Sequence, residues 1–298
     1  MRNHLKKLLI FTCLALLVGV SGQALGDSNH SFSGFRMGVG ARALGMGGAY
    51  VAIADDACAG YWNPAGLTAI ENFNLSTMVA ADMGADRKFN HIALGYNFGT
   101  AGWAAFSWID FGISDIEKRD EFGNSLGLFN ADEHGFLFSY GNVLNDLHVG
   151  ATVKVAYAKI DDYSKTGVGF DLGLKYIVNE NLHIGITAAD LGTKVGEDKL
   201  PIVFRLGLGA YAFDGFTFAA DVEKIQDESN VKIRLGSEYD YEFAEEYFGA
   251  IRAGVNDGAF AIGVGLTVMS NYSLDYAFVE DTEDFLGHNH RVSLTLSF

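Results

Sequence analysis

The sequence predicts an all-β fold: a transmembrane antiparallel β-barrel of about fourteen strands behind a short N-terminal plug segment. Three observations carry this. Residues 290–298 read His-Arg-Val-Ser-Leu-Thr-Leu-Ser-Phe, so that Val292, Leu294, Leu296 and Phe298 share one face and Arg291, Ser293, Thr295 and Ser297 the other. The same period of two recurs from residue 73 onward, in segments of roughly 9–13 residues, the length that crosses a bilayer as a tilted strand. Ahead of it stands a secretory leader.

That leader is residues 1–26. Arg2, Lys6 and Lys7 precede an apolar run from Leu8 to Val20, with small residues toward Ala24 and Gly26, the layout of a cleaved signal peptide. Cys13 departs with it, leaving Cys58 alone and the mature chain without an intramolecular disulfide. The formal charge of −16 becomes −19 without the three leader cations, which excludes nucleic acid and favours cations or basic proteins; solvated acidic loops are the simpler source of that charge. Mean hydropathy is +0.14 and 49% of residues are hydrophobic, yet no stretch after Val20 approaches the 18 apolar residues of a spanning helix. Alternation with outward apolar faces is what lipid requires of a closed sheet, which leaves no free edge.

The barrel occupies residues 71–298, with strands expected over 73–83, 89–99, 101–112, 133–143, 147–158, 166–177, 181–191, 201–213, 215–225, 230–241, 246–256, 258–269, 272–281 and 288–298. Val149, Ala151, Val153 and Val155 alternate with Gly150, Thr152, Lys154 and Ala156; Phe260, Ile262, Val264 and Leu266 alternate with Ala261, Gly263 and Gly265. The polar or small set faces the lumen. An even strand number puts both wall ends in the periplasm with the short turns. Phe98-Gly99-Thr100, Asn179-Glu180-Asn181 and Phe213-Asp214-Gly215 are then periplasmic turns, and 113–132, 159–165, 191–200, 224–229 and 282–287 extracellular connections. Asn256-Asp257-Gly258 is a tight hairpin signal on the side of the longer connections. Phe89, Tyr96, Phe98, Trp103, Trp108, Phe136, Phe138 and Tyr140 are candidates for two interfacial girdles.

Residues 27–70 do not alternate and are rich in Gly and Ala. Fourteen strands about 4.8 Å apart, tilted about 40°, enclose a bore of roughly 14 Å radius, too wide for luminal side chains to fill. This segment is the natural plug, entering from the periplasm.

Its Gly40-Ala-Arg-Ala-Leu-Gly-Met-Gly-Gly-Ala-Tyr-Val-Ala-Ile-Ala-Asp-Asp-Ala-Cys-Ala-Gly-Tyr-Trp-Asn-Pro-Ala-Gly-Leu67 closely resembles the N-terminal signature of the PorV/PorQ family and, more distantly, the hatch of FadL-type fatty-acid channels. Ala-Asp-Asp-Ala followed by Asn63-Pro64-Ala-Gly66-Leu is the specific part, and Phe298 is the matching barrel C-terminal signature. The first resemblance implies a type IX secretion-associated barrel that binds or shuttles secreted proteins at the cell surface of a Gram-negative-type bacterium. The second implies a passive channel for apolar small molecules. Because the outer connections other than 113–132 are short, the protein-binding reading is preferred. Partners are thus outer-membrane lipid, secretion components and cargo, with apolar small molecules as the alternative; no cofactor is implied.

Within the motif, Asp55 or Asp56 is expected to cap a helix over 57–62, Pro64 to end it, and Gly66 to turn the chain toward the first strand. Gly45, Gly47 and Gly48 are expected to pack closely on the wall. Arg42 in the lumen needs a carboxylate, with Asp171, Asp221, Glu223 and Asp275 the candidates. The luminal set adds Lys154, Lys175, Arg205, Lys232, Arg234, Arg252 and Arg291 against Glu238, and such mixed signs favour ion pairs between wall and plug over a selective ion path.

Other chemistry finds little support in the sequence. Gly45-Met46-Gly47-Gly48 has no following Lys-Ser/Thr for a phosphate loop. His288 and His290 are two ligands at most, short of a metal site. Acidic clusters at 115–121, 161–162 and 280–284 lack EF-hand spacing. His134, His148 and His183 have no nucleophile motif beside them, so catalysis is not expected.

Overall fold

The computed structural model describes residues 32–81, 87–213, 215–280 and 289–298. The signal peptide, His288, Asp214 and the 282–287 connection lie outside the described residues. Alternating segments pair into β1 (Phe73–Ala81), β2 (Arg87–Asn97), β3 (Trp103–Arg119), β4 (Ser125–Leu144), β5 (Leu147–Ile160), β6 (Tyr163–Asn179) and β7 (Leu182–Val195). After a two-residue β8 (Asp198–Lys199) come β9 (Val203–Phe213), β10 (Phe216–Ile225), β11 (Val231–Ala244), β12 (Tyr247–Asn256), β13 (Ala259–Val268), β14 (Tyr272–Val279) and β15 (Asn289–Ser297).

Every long strand is antiparallel to its neighbours in sequence. β15 pairs with β1, and β7 pairs with both β6 and β9, so the ring closes on itself as 14 staves, with β8 attached only to the end of β7. The expected strands are all present in order. No helix among the described residues is long and apolar enough to cross a membrane.

Side-chain alternation sorts the wall into two faces. The register runs Tyr272–Leu296–Leu75–Leu94–Phe106–Phe138–Val153–Phe170 from strand to strand as one unbroken outer row of apolar residues. Phe138 is 53% exposed and Phe170 51%, and on the other strands Leu206, Val222, Ile251 and Val264 are exposed on the same outer face. A continuous band of this kind is a lipid-facing surface. Tyr96, Phe98, Tyr140, Tyr176, Tyr247, Tyr272 and Phe298 are exposed at the end carrying both wall termini, the periplasmic end. Near the opposite end, Trp108, His134 and Tyr157 form a stack with centroids 6.1 and 6.2 Å apart. Phe89 and Trp103 do not join these girdles. Phe89 is fully buried on the luminal face, and Trp103 donates from Nε1 to the Ile70 carbonyl at 2.8 Å, inside the periplasmic mouth.

The 113–132 segment is not a loop but the upper part of β3 and β4, turning only at 120–124, where Asp120 Oδ1 accepts from the Phe122 and Asn124 amides at 2.9 and 2.8 Å. A register shift between Ile113 and Ile116, with Asp115 at φ 57°, breaks the alternation there, which is why the sequence conceals these strands. The Asn256-Asp257-Gly258 hairpin is present on the same side, with Asp257 and Gly258 at φ 47° and 97°.

Candidate functional site

The plug segment that follows the signal peptide, called the leader from here on, fills the bore. Its first described residues, Phe32 to Arg36, lie at mid-height and above, against Phe111, Glu133, Gly135 and Asp190. From there the chain descends through a short helix α1 (Ala41–Gly45), a second helix α2 (Ala59–Trp62) and a 3-10 segment (Pro64–Ala69) to the periplasmic mouth. Val39, Met46, Tyr50, Val51, Ile53 and Leu67 are all within 1% of complete burial, so this small-residue segment is the core of the molecule. It therefore spans the lumen from middle to bottom.

Luminal glycines are the seat of this plug. A Cβ at Gly150 would collide with Pro64 and Ala65, one at Gly173 with Asn63, one at Gly236 with Met46 and one at Gly254 with Gly47 and Met46. At Gly185 it would stand 2.5 Å from the Val51 carbonyl oxygen. The contact is reciprocal, because a Cβ at Gly47 would stand 2.6 Å from Val255 N and one at Gly45 3.2 Å from Gly263 Cα. Gly47 also needs its φ of 64°. Gly48 packs instead under Trp62 and Arg234. Backbone thus lies on backbone.

Polar contacts complete the seat. The amides of Tyr50 and Val51 both donate to Asp221 Oδ2, at 2.9 and 3.0 Å, and Lys175 Nζ donates to the Ala54 carbonyl at 3.0 Å. Asn63 Nδ2 donates to the carbonyls of Val51 and Leu174 at 2.8 and 3.0 Å while its Oδ1 accepts from Ala65 N, so one side chain ties two plug segments to β6. Trp62 Nε1 donates to the Val39 carbonyl at 2.9 Å.

Three charge networks line the lumen, built from inward-facing wall residues, from Arg42 and Asp55 of the plug, and from Asp190, which a bulge turns inward. Arg42 makes a two-pronged contact with Glu238, Nε and Nη2 each at 2.9 Å, and reaches Asp55 at 2.7 Å; Arg252 bonds the same Glu238 at 2.5 Å and Asp275 at 2.7 Å. Glu223 binds Arg205 at 2.6 Å and Arg234 at 2.9 Å. Lys154 binds Asp171 at 2.9 Å and Asp190 at 2.6 Å. Of the expected site residues, Asp171, Arg205, Arg234 and Asp275 are in these networks, while Lys175 and Asp221 bind the plug backbone.

Several motif roles differ from expectation. Arg42 pairs with Glu238, not with Asp171, Asp221, Glu223 or Asp275, because Asp171, Glu223 and Asp275 are held by wall cations and Asp221 by plug amides. α2 begins at Ala59 after Cys58, with no side-chain cap; Asp55 is drawn to Arg42, and both Asp55 and Asp56 accept from the Tyr50 hydroxyl. Pro64 opens the 3-10 segment, with Asn63 as its capping side chain. Gly66 is required by a close approach, since a Cβ there would stand 2.5 Å from the Ala54 carbonyl oxygen.

Alternation alone hides Asp190. β7 carries extra residues opposite β6 between Ala188 and Leu191 and again between Leu191 and Lys194, and Asp190 at φ 61° turns inward beside Ala189.

Between the plug and β1, β14 and β15 the periplasmic mouth holds a polar cavity of about 420 Å³, lined by Arg42, Asp55, Asp56, Asp275, Asn74 and hydroxyls including Ser76, Ser293 and Thr295. Burial and the adjacent Asp55 push the Asp56 carboxyl up to about 7. A carboxyl whose docked pKa is raised stabilises the docked plug fully below its free value near 4, and that contribution fades as pH rises through about 7. Bilayer leak is therefore expected to rise between pH 5 and 8 in the wild type and to rise less steeply in Asp56→Asn; equal pH profiles would refute this.

His290 Nδ1 lies 2.6 Å from the Tyr276 hydroxyl, and no group of three or more metal-ligating side chains occurs among the described residues. Cys58 is buried and free.

No family model matches the sequence, and no curated protein matches it. Solved structures do match. The Ralstonia pickettii toluene transporter TbuX aligns with a TM-score of 0.61 at 15% identity, over 88% of this chain and 98% of its own. The CymD monoaromatic hydrocarbon channel aligns at 0.59 with 15% identity, over 88% and 98%. A Pseudomonas aeruginosa FadL homologue aligns at 0.56 with 11% identity, over 87% and 98%. Identities this low speak to fold, and with the lipid-facing band and the filled bore they give the conclusion that the chain is an outer-membrane β-barrel of FadL-like fold.

Proposed function

We infer that the barrel is a passive channel for apolar small molecules across the outer membrane. The observation that carries this is the FadL-like fold itself, a plugged barrel whose similar structures are transporters and channels, among them a toluene transporter and a monoaromatic hydrocarbon channel. The middle of the bore agrees with it: Met78, Phe89, Ile109, Phe111 and Leu137 face inward and form one buried apolar cluster with the leader. The secretion-associated reading rests on the plug motif and on the short outer connections, and neither the lumen nor the similar structures add to it.

Expressed in the outer membrane of a Gram-negative host, whose saccharide-coated leaflet resists apolar solutes, the protein is expected to speed uptake of dilute toluene several-fold over the empty vector. Equal uptake rates would sink the reading.

A further inference from the structure

The outer face of β2–β6 changes character abruptly near its extracellular end. Ile92, Trp108, Phe136, Val155 and Val168 stand directly opposite one another from strand to strand, a wholly apolar row at the upper margin of the lipid-facing band. Four residues higher on each strand the row reads Lys88, Gly112, Asp132, Lys159 and Ser164. The Trp108–His134–Tyr157 stack bridges the step. On β1, β11 and β13 the outer face stays apolar to the top of the described wall, at exposed Val79, Val231 and Phe260. The polar ledge is therefore confined to one sector of the barrel, directly above lipid.

Its charges are arranged in pairs. Asp110 points outward yet is only 6% exposed, because its carboxylate accepts from Asn90 Nδ2 at 3.1 Å and lies 3.3 Å from both Lys88 Nζ and His134 Nδ1. Lys88 also reaches Asp132 at 3.1 Å, and this bridge lies across Gly112, where a Cβ would strike both side chains. Lys88 still keeps its side chain 44% exposed and Asp132 31%. Lys159, directly opposite Asp132, is exposed and makes no ion pair among the described residues. From side to side the ledge thus presents a cation, a carboxylate and a second cation, over three inter-strand spacings or roughly 14 Å.

This order selects among headgroups. A bare phosphate would meet the Lys159 ammonium but also the like charge of Asp132. A glycerophospholipid carries one phosphate on a short arm, which reaches one lysine and not the other. A phosphorylated disaccharide fits the whole ledge: phosphates for the lysines at either end, and hydroxyl and amide donors for the carboxylate between them, which can only accept. Its acyl chains then run down over Trp108, Phe136 and Val155, continuous with the lipid-facing band. We propose that this ledge seats the phosphorylated disaccharide headgroup of the saccharolipid of the outer leaflet, held chiefly by Lys159 and Asp132. Such a seat needs only the outer-membrane location and is independent of what the bore conducts.

The test uses the folded barrel in detergent, incubated with equal amounts of a bisphosphorylated glucosamine-disaccharide lipid and phosphatidylglycerol, with the lipid retained on the protein counted by native mass spectrometry. The wild type is expected to retain the saccharolipid several-fold over phosphatidylglycerol. Lys159→Ala, at an exposed side chain on which folding does not depend, is expected to lower saccharolipid retention about fivefold, the worth of one lysine against an anionic headgroup. Asp132→Ala is expected to bring the preference between the two lipids close to one. Lys199→Ala removes the same charge from exposed β8, away from the ledge, and is expected to behave as wild type. Equal retention of the two lipids by the wild type, or equal losses in Lys159→Ala and Lys199→Ala, overturns the assignment.

Discussion

Glu238→Ala is expected to cost the barrel about 3–5 kcal/mol and to lower its melting midpoint accordingly, because it leaves the buried Arg252 guanidinium facing the half-buried Arg42 guanidinium without the carboxylate between them. Glu238 is 1% exposed and binds Arg42 of the plug and Arg252 of the wall at once. Removal of Arg42 has a smaller expected effect, since Arg252 continues to satisfy Glu238. Glu238→Gln, which keeps the shape and some hydrogen bonding, is expected to fall between. Thermal melts of the detergent-solubilised protein decide the order, and a Glu238→Ala midpoint equal to wild type would mean the clamp contributes nothing.

Gly254→Val is expected to unseat the plug without unravelling the wall. The new Cβ meets the backbone of Met46 and Gly47, which has no flexible end to move aside, and overpacking of this kind costs about 1–3 kcal/mol even where neighbours yield. β12 itself accepts valine readily, since β-branched residues suit strands. The cost therefore falls on the docked plug, and single-barrel conductance in planar bilayers is expected to rise several-fold over wild type. Ala253→Val on the neighbouring lipid-facing position is the control, expected to leave conductance unchanged. Silence from both variants would show that the glycine seat does not hold the plug.

The wall was legible because a period of two is a local property: Val149 to Ala156 can be sorted into lipid and lumen faces from the sequence, and β5 is sorted the same way in the structure. It failed where one residue was inserted or one backbone angle changed sign. Asp190 looks lipid-facing by parity, and the top of β3 looks like loop, because bulges at these points shift the phase. The plug motif was legible as a set of residues whose roles were not. Asn63, Pro64 and Gly66 are needed, but for contacts to Val51, β5, β6 and Ala54, partners up to 111 positions away in the chain. No local pattern encodes such a partner. The choice of Glu238 for Arg42 is of the same kind, decided by which carboxylates the other cations had already taken.

A bore in which main chain rests on main chain from Gly45 to Pro64 has no slack through which Trp62 or Tyr50 could be threaded after the hoop is complete. The seam between β1 and β15 closes that hoop, with Phe73 and Phe298 exchanging amide-to-carbonyl bonds of 2.8 Å in both directions. The plug segment is in that sense a mandrel, matched to the circumference that the joined edges enclose.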